Sequence, residues 1–248
     1  MHCKAFVRAL RHAATLLCLL MSQLASSPMA KAMTMTPMQM ELVPIGNRSH
    51  VQFQVTNNSA APLPIEITYE YLSYTENGHR VLAKARDELV VFPITAMIPP
   101  GGTQTFRVQW VGSPDITTSQ SFLVTARQLP VRMKNDGRSK VQMVSAFGAI
   151  LNVAPIAGSA DLRLLSSAPA MTRQGKPALS ILVENPTNVH ALISNAVLRL
   201  GSLTLNQETL RSTVGIGVVE PGKRRRFLVP LPSAAPGRAA LEYRPPNP

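Results

Sequence analysis

The chain has 248 residues, with 25 Lys and Arg against 13 Asp and Glu, giving a net charge of +12. Its composition is 45% hydrophobic, with two cysteines, Cys3 and Cys18. That supply of apolar residues suffices for a buried core. Two cysteines this close to the N-terminus cannot form the framework of a disulfide-stapled domain.

Residues 1–32 read as a secretory signal peptide. Lys4, Arg8 and Arg11 precede an apolar run from Ala13 to Ala25, and Ala30-Lys31-Ala32 fits an A-x-A cleavage site. The apolar run is too short for a good transmembrane helix, and no later run reaches spanning length, so no integral membrane segment is expected. Cleavage after Ala32 would remove both cysteines and four basic residues (Lys4, Arg8, Arg11, Lys31) with no acid, so +12 becomes +8 over about 216 residues. That length suits two domains of ~100 residues each.

Beyond the signal, periodicity predicts strands. Val51, Phe53 and Val55 alternate with Gln52, Gln54 and Thr56; Ile65, Ile67, Tyr69 and Tyr71 with Glu66, Thr68 and Glu70; Phe106, Val108 and Trp110 with Thr105, Arg107 and Gln109. Pro and Gly recur at short intervals, and no 3.6-residue stripe stands out, so the expected class is all-β. An internal echo supports two related sandwiches. Val55-Thr56-Asn57, Pro100-Gly101 and Phe106-Arg107-Val108 reappear as Val183-Glu184-Asn185, Pro221-Gly222 and Phe227-Leu228-Val229, with a Pro-to-Phe spacing of six in both copies. The boundary is placed at residues 154–158, giving domains 33–155 and 156–248.

One segment is unusual. Residues 141–153 contain no charge and no proline, and one parity reads Val141, Met143, Ser145, Phe147, Ala149, Leu151, Val153. Thirteen such residues would make a strand about twice the usual length. At a sheet edge such a strand would be an open template for a partner; a central strand buried on both faces would have the same composition. The basic stretch 131–140 before it reads as a solvated hairpin connection. The aromatic residues do not interleave with the basic ones, and Lys223-Arg224-Arg225-Arg226 stands alone, so no nucleic-acid partner is expected.

Catalysis has little support. His50, His79 and His190 are the histidines left after residue 32, with no metal-ligand spacing, and Gly101-Gly102 sits in a turn rather than a phosphate loop. The chain is expected not to be an enzyme and to hold no metal or cofactor. Met33, Met35, Met38 and Met40 are read as an apolar first strand rather than a copper site.

Taken in order, these residues resemble the periplasmic chaperones of the chaperone–usher pathway, in particular the archaic branch. The resemblance rests on Leu89-Val90-Val91-Phe92-Pro93-Ile94 leading into Ile98-Pro99-Pro100-Gly101-Gly102-Thr103-Gln104-Thr105-Phe106-Arg107-Val108. It continues in Ser121–Val124 with Arg127-Gln128-Leu129-Pro130, in the long strand entering Val153-Ala154-Pro155, and in Asn185, Asn188, His190 and residues 215–222. It covers nearly all of residues 38–235. The resemblance implies two immunoglobulin-like β-sandwich domains joined by a short hinge at Ala154 and Pro155, and location in the periplasm. It implies a chaperone that stabilises pilus subunits by donor-strand complementation and delivers them to an outer-membrane usher. Val141, Met143, Ser145, Phe147 and Ala149 would be the donor-strand residues that meet the pilin. The better-studied branch anchors the terminal carboxylate of the pilin with a donor-strand Lys and a first-strand Arg. Here Ile150 stands at the first place, and Met38–Pro44 contains no Arg. The competing reading is an Ig-like pilus subunit or extracellular binding module that remains in the assembled structure.

Overall fold

The structure is a computed structural model, and it describes residues 33–130, 144–233 and 237–245. The expected cleavage point therefore lies outside the described residues, as do Val141 and Met143.

The first part of the chain builds ten strands: β1 (Met33–Thr36), β2 (Gln39–Leu42), β3 (His50–Asn57), β4 (Leu63–Tyr74), β5 (Arg80–Lys84), β6 (Leu89–Phe92), β7 (Thr95–Ile98), β8 (Thr103–Trp110), β9 (Gln120–Gln128) and β10 (Ala146–Val153). One sheet has the order β1-β3-β8-β6. The other runs β2-β10-β9-β4-β5, with β7 also pairing β4. The period-2 alternation decides which face turns inward. Phe53, Val55, Ile65, Ile67, Phe106, Val108 and Trp110 all lie in the shared core, while Gln52 and Gln54 are exposed. Phe53 and Phe106 stack across the β3–β8 pair, with ring centroids 5.2 Å apart. Burying each such side chain is worth about 1.5–3 kcal/mol. Met33, Met35 and Met40 fill the same core, whereas Met38, between β1 and β2, is 43% exposed.

The second part adds β11 (Arg163–Met171), β12 (Pro177–Glu184), β13 (Ala191–Leu192), β14 (Ala196–Leu200), β15 (Leu203–Leu205), α1 (Gln207–Val214), β16 (Val218–Val219), β17 (Arg224–Pro230) and β18 (Ala239–Tyr243). Its sheets are β11-β12-β17, β15-β14-β18 and the small pair β13-β16. They enclose a separate core that includes Ile181, Val183, Ile193, Leu198, Leu210 and Val229. The fold is all-β, two immunoglobulin-like sandwiches in series. The helix α1 gave no sequence signal of its own because only Leu210 of its eight residues is buried, too little to make a stripe. Its ends were nonetheless signalled: Asn206 caps the Thr209 N–H, and Gly215 follows with φ 78°.

The sequence echo is a structural duplication. Asn57 and Asn185 are both fully buried. The Asn57 amide donates to the carbonyls of Ala61 and Ile98, and its Oδ1 accepts from the N–H and hydroxyl of Ser59. Asn185 donates to Val189 and Val219, and accepts from the N–H and hydroxyl of Thr187. Each also receives the glycine N–H of its Pro-Gly turn, from Gly101 and Gly222 respectively. One buried asparagine per sandwich thus ties a strand end to two loops, satisfying carbonyls that burial would otherwise leave unpaired.

Candidate functional site

Strand β10 is antiparallel to β9 along its whole length, from Ala146 opposite Arg127 to Val153 opposite Gln120. On its other side it is parallel to β2, but only from Ile150 to Val153. The chain of β1 and β2 crosses between the sheets at residues 37–38, so β10 is flanked on both sides in its second half and on one side in its first.

Backbone direction follows from the hydrogen bonds at either end. The Ser145 carbonyl accepts from Gln128 N–H at 2.9 Å, so odd residues turn their backbone groups toward β9. Ile150 N–H donates to Met38 O at 3.0 Å, and Ala154 N–H to Leu42 O at 2.9 Å, so even residues turn theirs toward β2. The N–H and C=O groups of Ala146 and Gly148 therefore point out of the sheet where β2 has ended. They have no strand partner among the described residues. This is an open edge, uncharged along Val144–Val153.

Side chains divide by the same parity. Leu151 and Val153 point into the core of their own sandwich and are fully buried. Ala149, expected among the residues that meet a partner, is fully buried there as well. Phe147 is half-buried and packs against the rim of that core. Ser145 is half-buried just before the strand, where its N–H faces Gln128 Oε1 at 3.4 Å. Val144 is 48% exposed. The thirteen-residue strand is shorter than expected over the described residues: it begins at Ala146, with Val144 and Ser145 outside it.

Sequence reasoning, attentive to side chains, missed Ala146 and Gly148, which contribute backbone. A signal existed at Gly148, since glycine inside a strand marks a close approach. A Cβ there would lie 2.8 Å from Leu123 Cδ1 on β9.

At the end of β10 the chain turns into the second sandwich. Ala154 and Pro155, the expected hinge residues, are both buried, and Ile156 is exposed. Asn188 of the second sandwich holds this turn, donating to Thr117 O at 3.0 Å and Ala157 O at 3.1 Å and accepting from Ser119 N–H. His190 lies beside it, its N–H and Nδ1 on the Ser119 hydroxyl and its Nε2 3.9 Å from Glu41. Burial lowers the His190 pKa to about 4, so the ring is neutral. Burial also raises the Glu41 carboxyl above its usual range, against the pull of Arg48. Arg127 meets Glu66 of β4 at 2.9 Å. Among the described residues no cluster of three His, Cys, Asp or Glu could hold a metal ion, and no helix is long and apolar enough to cross a membrane.

No protein-family model matches the chain, and no curated protein matches it. Solved structures do. A class 5 fimbriae chaperone, CfaA, superposes with a TM-score of 0.53 at 13% identity, covering 87% of this chain and 100% of its own. The SafB chaperone–SafA pilin complex of Salmonella enterica gives 0.53 at 13% identity over 83% and 86%. The CsuC–CsuE chaperone–tip adhesion subunit pre-assembly complex of the archaic chaperone–usher Csu pili of Acinetobacter baumannii gives 0.51 at 11% identity over 79% and 90%. At such identities the likeness is one of fold.

Proposed function

We propose that this chain is a periplasmic chaperone of the chaperone–usher pathway. It binds pilus subunits by lending the open edge of β10 as a strand and delivers them to an outer-membrane usher. The observation that carries the reading is the outward-facing backbone of Ala146 and Gly148, which has no strand partner among the described residues where β2 stops. A β-sandwich lacking one strand exposes both unpaired backbone groups and an apolar groove. An added strand answers both at once, through main-chain hydrogen bonds and alternate side chains. The shared fold supports the reading, since the similar structures are fimbrial chaperones and two of the three are complexes with a pilin or a tip adhesion subunit.

Within this reading Val141, Met143, Ser145 and Phe147 are the side chains offered to the pilin, and Ala149 belongs to the chaperone's own core. Residues 1–32 direct export and are removed, 33–155 form the pilin-binding domain, and 156–248 form the second domain beyond the hinge at Ala154 and Pro155. The role requires neither catalysis nor a cofactor.

The test is co-expression with a pilin-like subunit of a chaperone–usher system, followed by purification from the periplasm. Wild type should yield a soluble one-to-one complex. Val141→Asp with Met143→Asp should yield a folded chaperone without bound pilin, because carboxylates do not enter an apolar groove. A folded double variant that keeps its pilin would remove β10 as the donor. Recovery of the wild-type chain in assembled surface fibres would favour a structural role in the pilus.

A further inference from the structure

The run Lys223-Arg224-Arg225-Arg226 has no part in the strand-lending edge, yet its residues differ sharply in environment. Arg224 pairs with Glu184 on the neighbouring strand β12, a surface contact within one sandwich. Arg225 instead points into the junction between the sandwiches. Its guanidinium carbon lies 3.6 Å from the centroid of the Tyr74 ring, at the end of β4 in the first sandwich, and 4.8 Å from that of Phe227. Its Nη1 donates to Val218 O at 2.5 Å.

The backbone around this contact is stitched across the same junction. Tyr74 N–H donates to Glu220 Oε1 at 2.8 Å, and Arg226 N–H to Glu76 O at 2.6 Å, with the Arg226 side chain 3.3 Å from the Glu76 carboxylate. The turn between β4 and β5 thus continues the edge of β17. Gly78 supplies the left-handed turn there, with φ 82°, and a Cβ at this position would meet Arg226 O only in ordinary contact at 3.7 Å. A planar guanidinium is suited to this place, since it can stack on one ring, border another and still donate in its own plane.

We propose that Arg225 is a latch that fixes the second sandwich against the β4–β5 turn of the first. The latch uses none of the residues that Asn188 holds at the hinge, and it stands whether or not β10 takes a pilin. It gives the basic run a role that needs no anionic ligand: Arg225 clamps the domains from inside the junction, Arg226 bridges it at the surface through Glu76, and Arg224 pairs with Glu184 within its own sandwich.

Amide exchange on the secreted protein tests it. The reporters are the Arg226 and Tyr74 amides, which bond across the junction; the controls are the Asn57 and Asn185 amides, which bond inside each sandwich. Arg225→Ala should speed exchange at both reporters about tenfold, the size of a partly desolvated cation–π contact, with the controls unmoved. Arg225→Lys, which keeps the charge but loses the plane, should fall between. Tyr74→Ala should give the same release, and adding Arg225→Ala to it should add little, because the two share one contact. Reporter exchange at the wild-type rate in folded Arg225→Ala, or effects of the two substitutions that simply add, would overturn the latch. If Arg225→Ala does not fold, Tyr74→Ala decides alone, and unchanged exchange at Arg226 in that variant rejects the proposal.

Discussion

Proline at position 146 and proline at position 147 should have opposite consequences, although the two residues are adjacent on one strand. The N–H of Ala146 points away from β9 into the open edge, so Ala146→Pro removes a donor that the folded chain does not spend on its own ladder. Proline is tolerated on an edge strand when its missing N–H faces outward. Stability should stay within about 1 kcal/mol of wild type. A strand added to that edge would find its carbonyl opposite position 146 unpaired, at a cost of about 1–3 kcal/mol. With 1.4 kcal/mol for each factor of ten, pilin affinity should fall by about tenfold to a hundredfold. Phe147→Pro removes an N–H directed at Ala126 of β9, an interior rung of the sandwich, and should destabilise the free protein by about 3 kcal/mol. Urea unfolding of each free variant and titration with a groove-exposing pilin separate the two effects. Equal destabilisation by both prolines would refute the assignment of backbone direction. A stable Ala146→Pro that binds as well as wild type would refute the open edge as the binding element.

The paired asparagines should behave alike. Asn57→Ala and Asn185→Ala each leave one buried and one part-buried carbonyl without their donor, and each should cost about 1–3 kcal/mol in chemical denaturation. A loss below about 1 kcal/mol would show that those loops hold without the asparagine. Stability should also depend on pH through His190, whose folded pKa of about 4 lies below the ordinary 6.5. The unfolded chain binds this proton first, so the contribution is present above pH 6.5 and is lost as pH falls toward 4. It amounts to about 3 kcal/mol at 1.36 kcal/mol per unit. Glu41 acts in the opposite sense, taking its proton first in the folded state and returning some stability as pH falls from its raised pKa toward 4.5. Denaturation midpoints between pH 7 and 4 should decline for wild type and flatten for His190→Asn; identical profiles would exclude His190 as the source.

The strands with clean alternation were legible because burial on one face repeats every second residue. Phe53 and Val55, or Phe106 and Val108, need no tertiary information to be placed inward. The duplication was legible for a related reason: each Pro-Gly turn stands at the same short spacing before the phenylalanine of the next strand, while Asn57 and Asn185 lie 43 and 36 residues before their turns and meet them only through the fold. The candidate site was legible only in part. The sequence marks β10 as uncharged and apolar, which is compatible equally with a central strand and with an edge. What made its first half an edge is the place where the chain of β1 and β2 changes sheets, a long-range event that no residue within β10 encodes. The same long-range packing assigned Ala149 to its own core, because parity shows which residues share a face but not what that face meets. It also set Arg225 apart from three neighbours of like charge. Charge and size are properties of the residue; a tyrosine from another domain 3.6 Å away is a property of the fold.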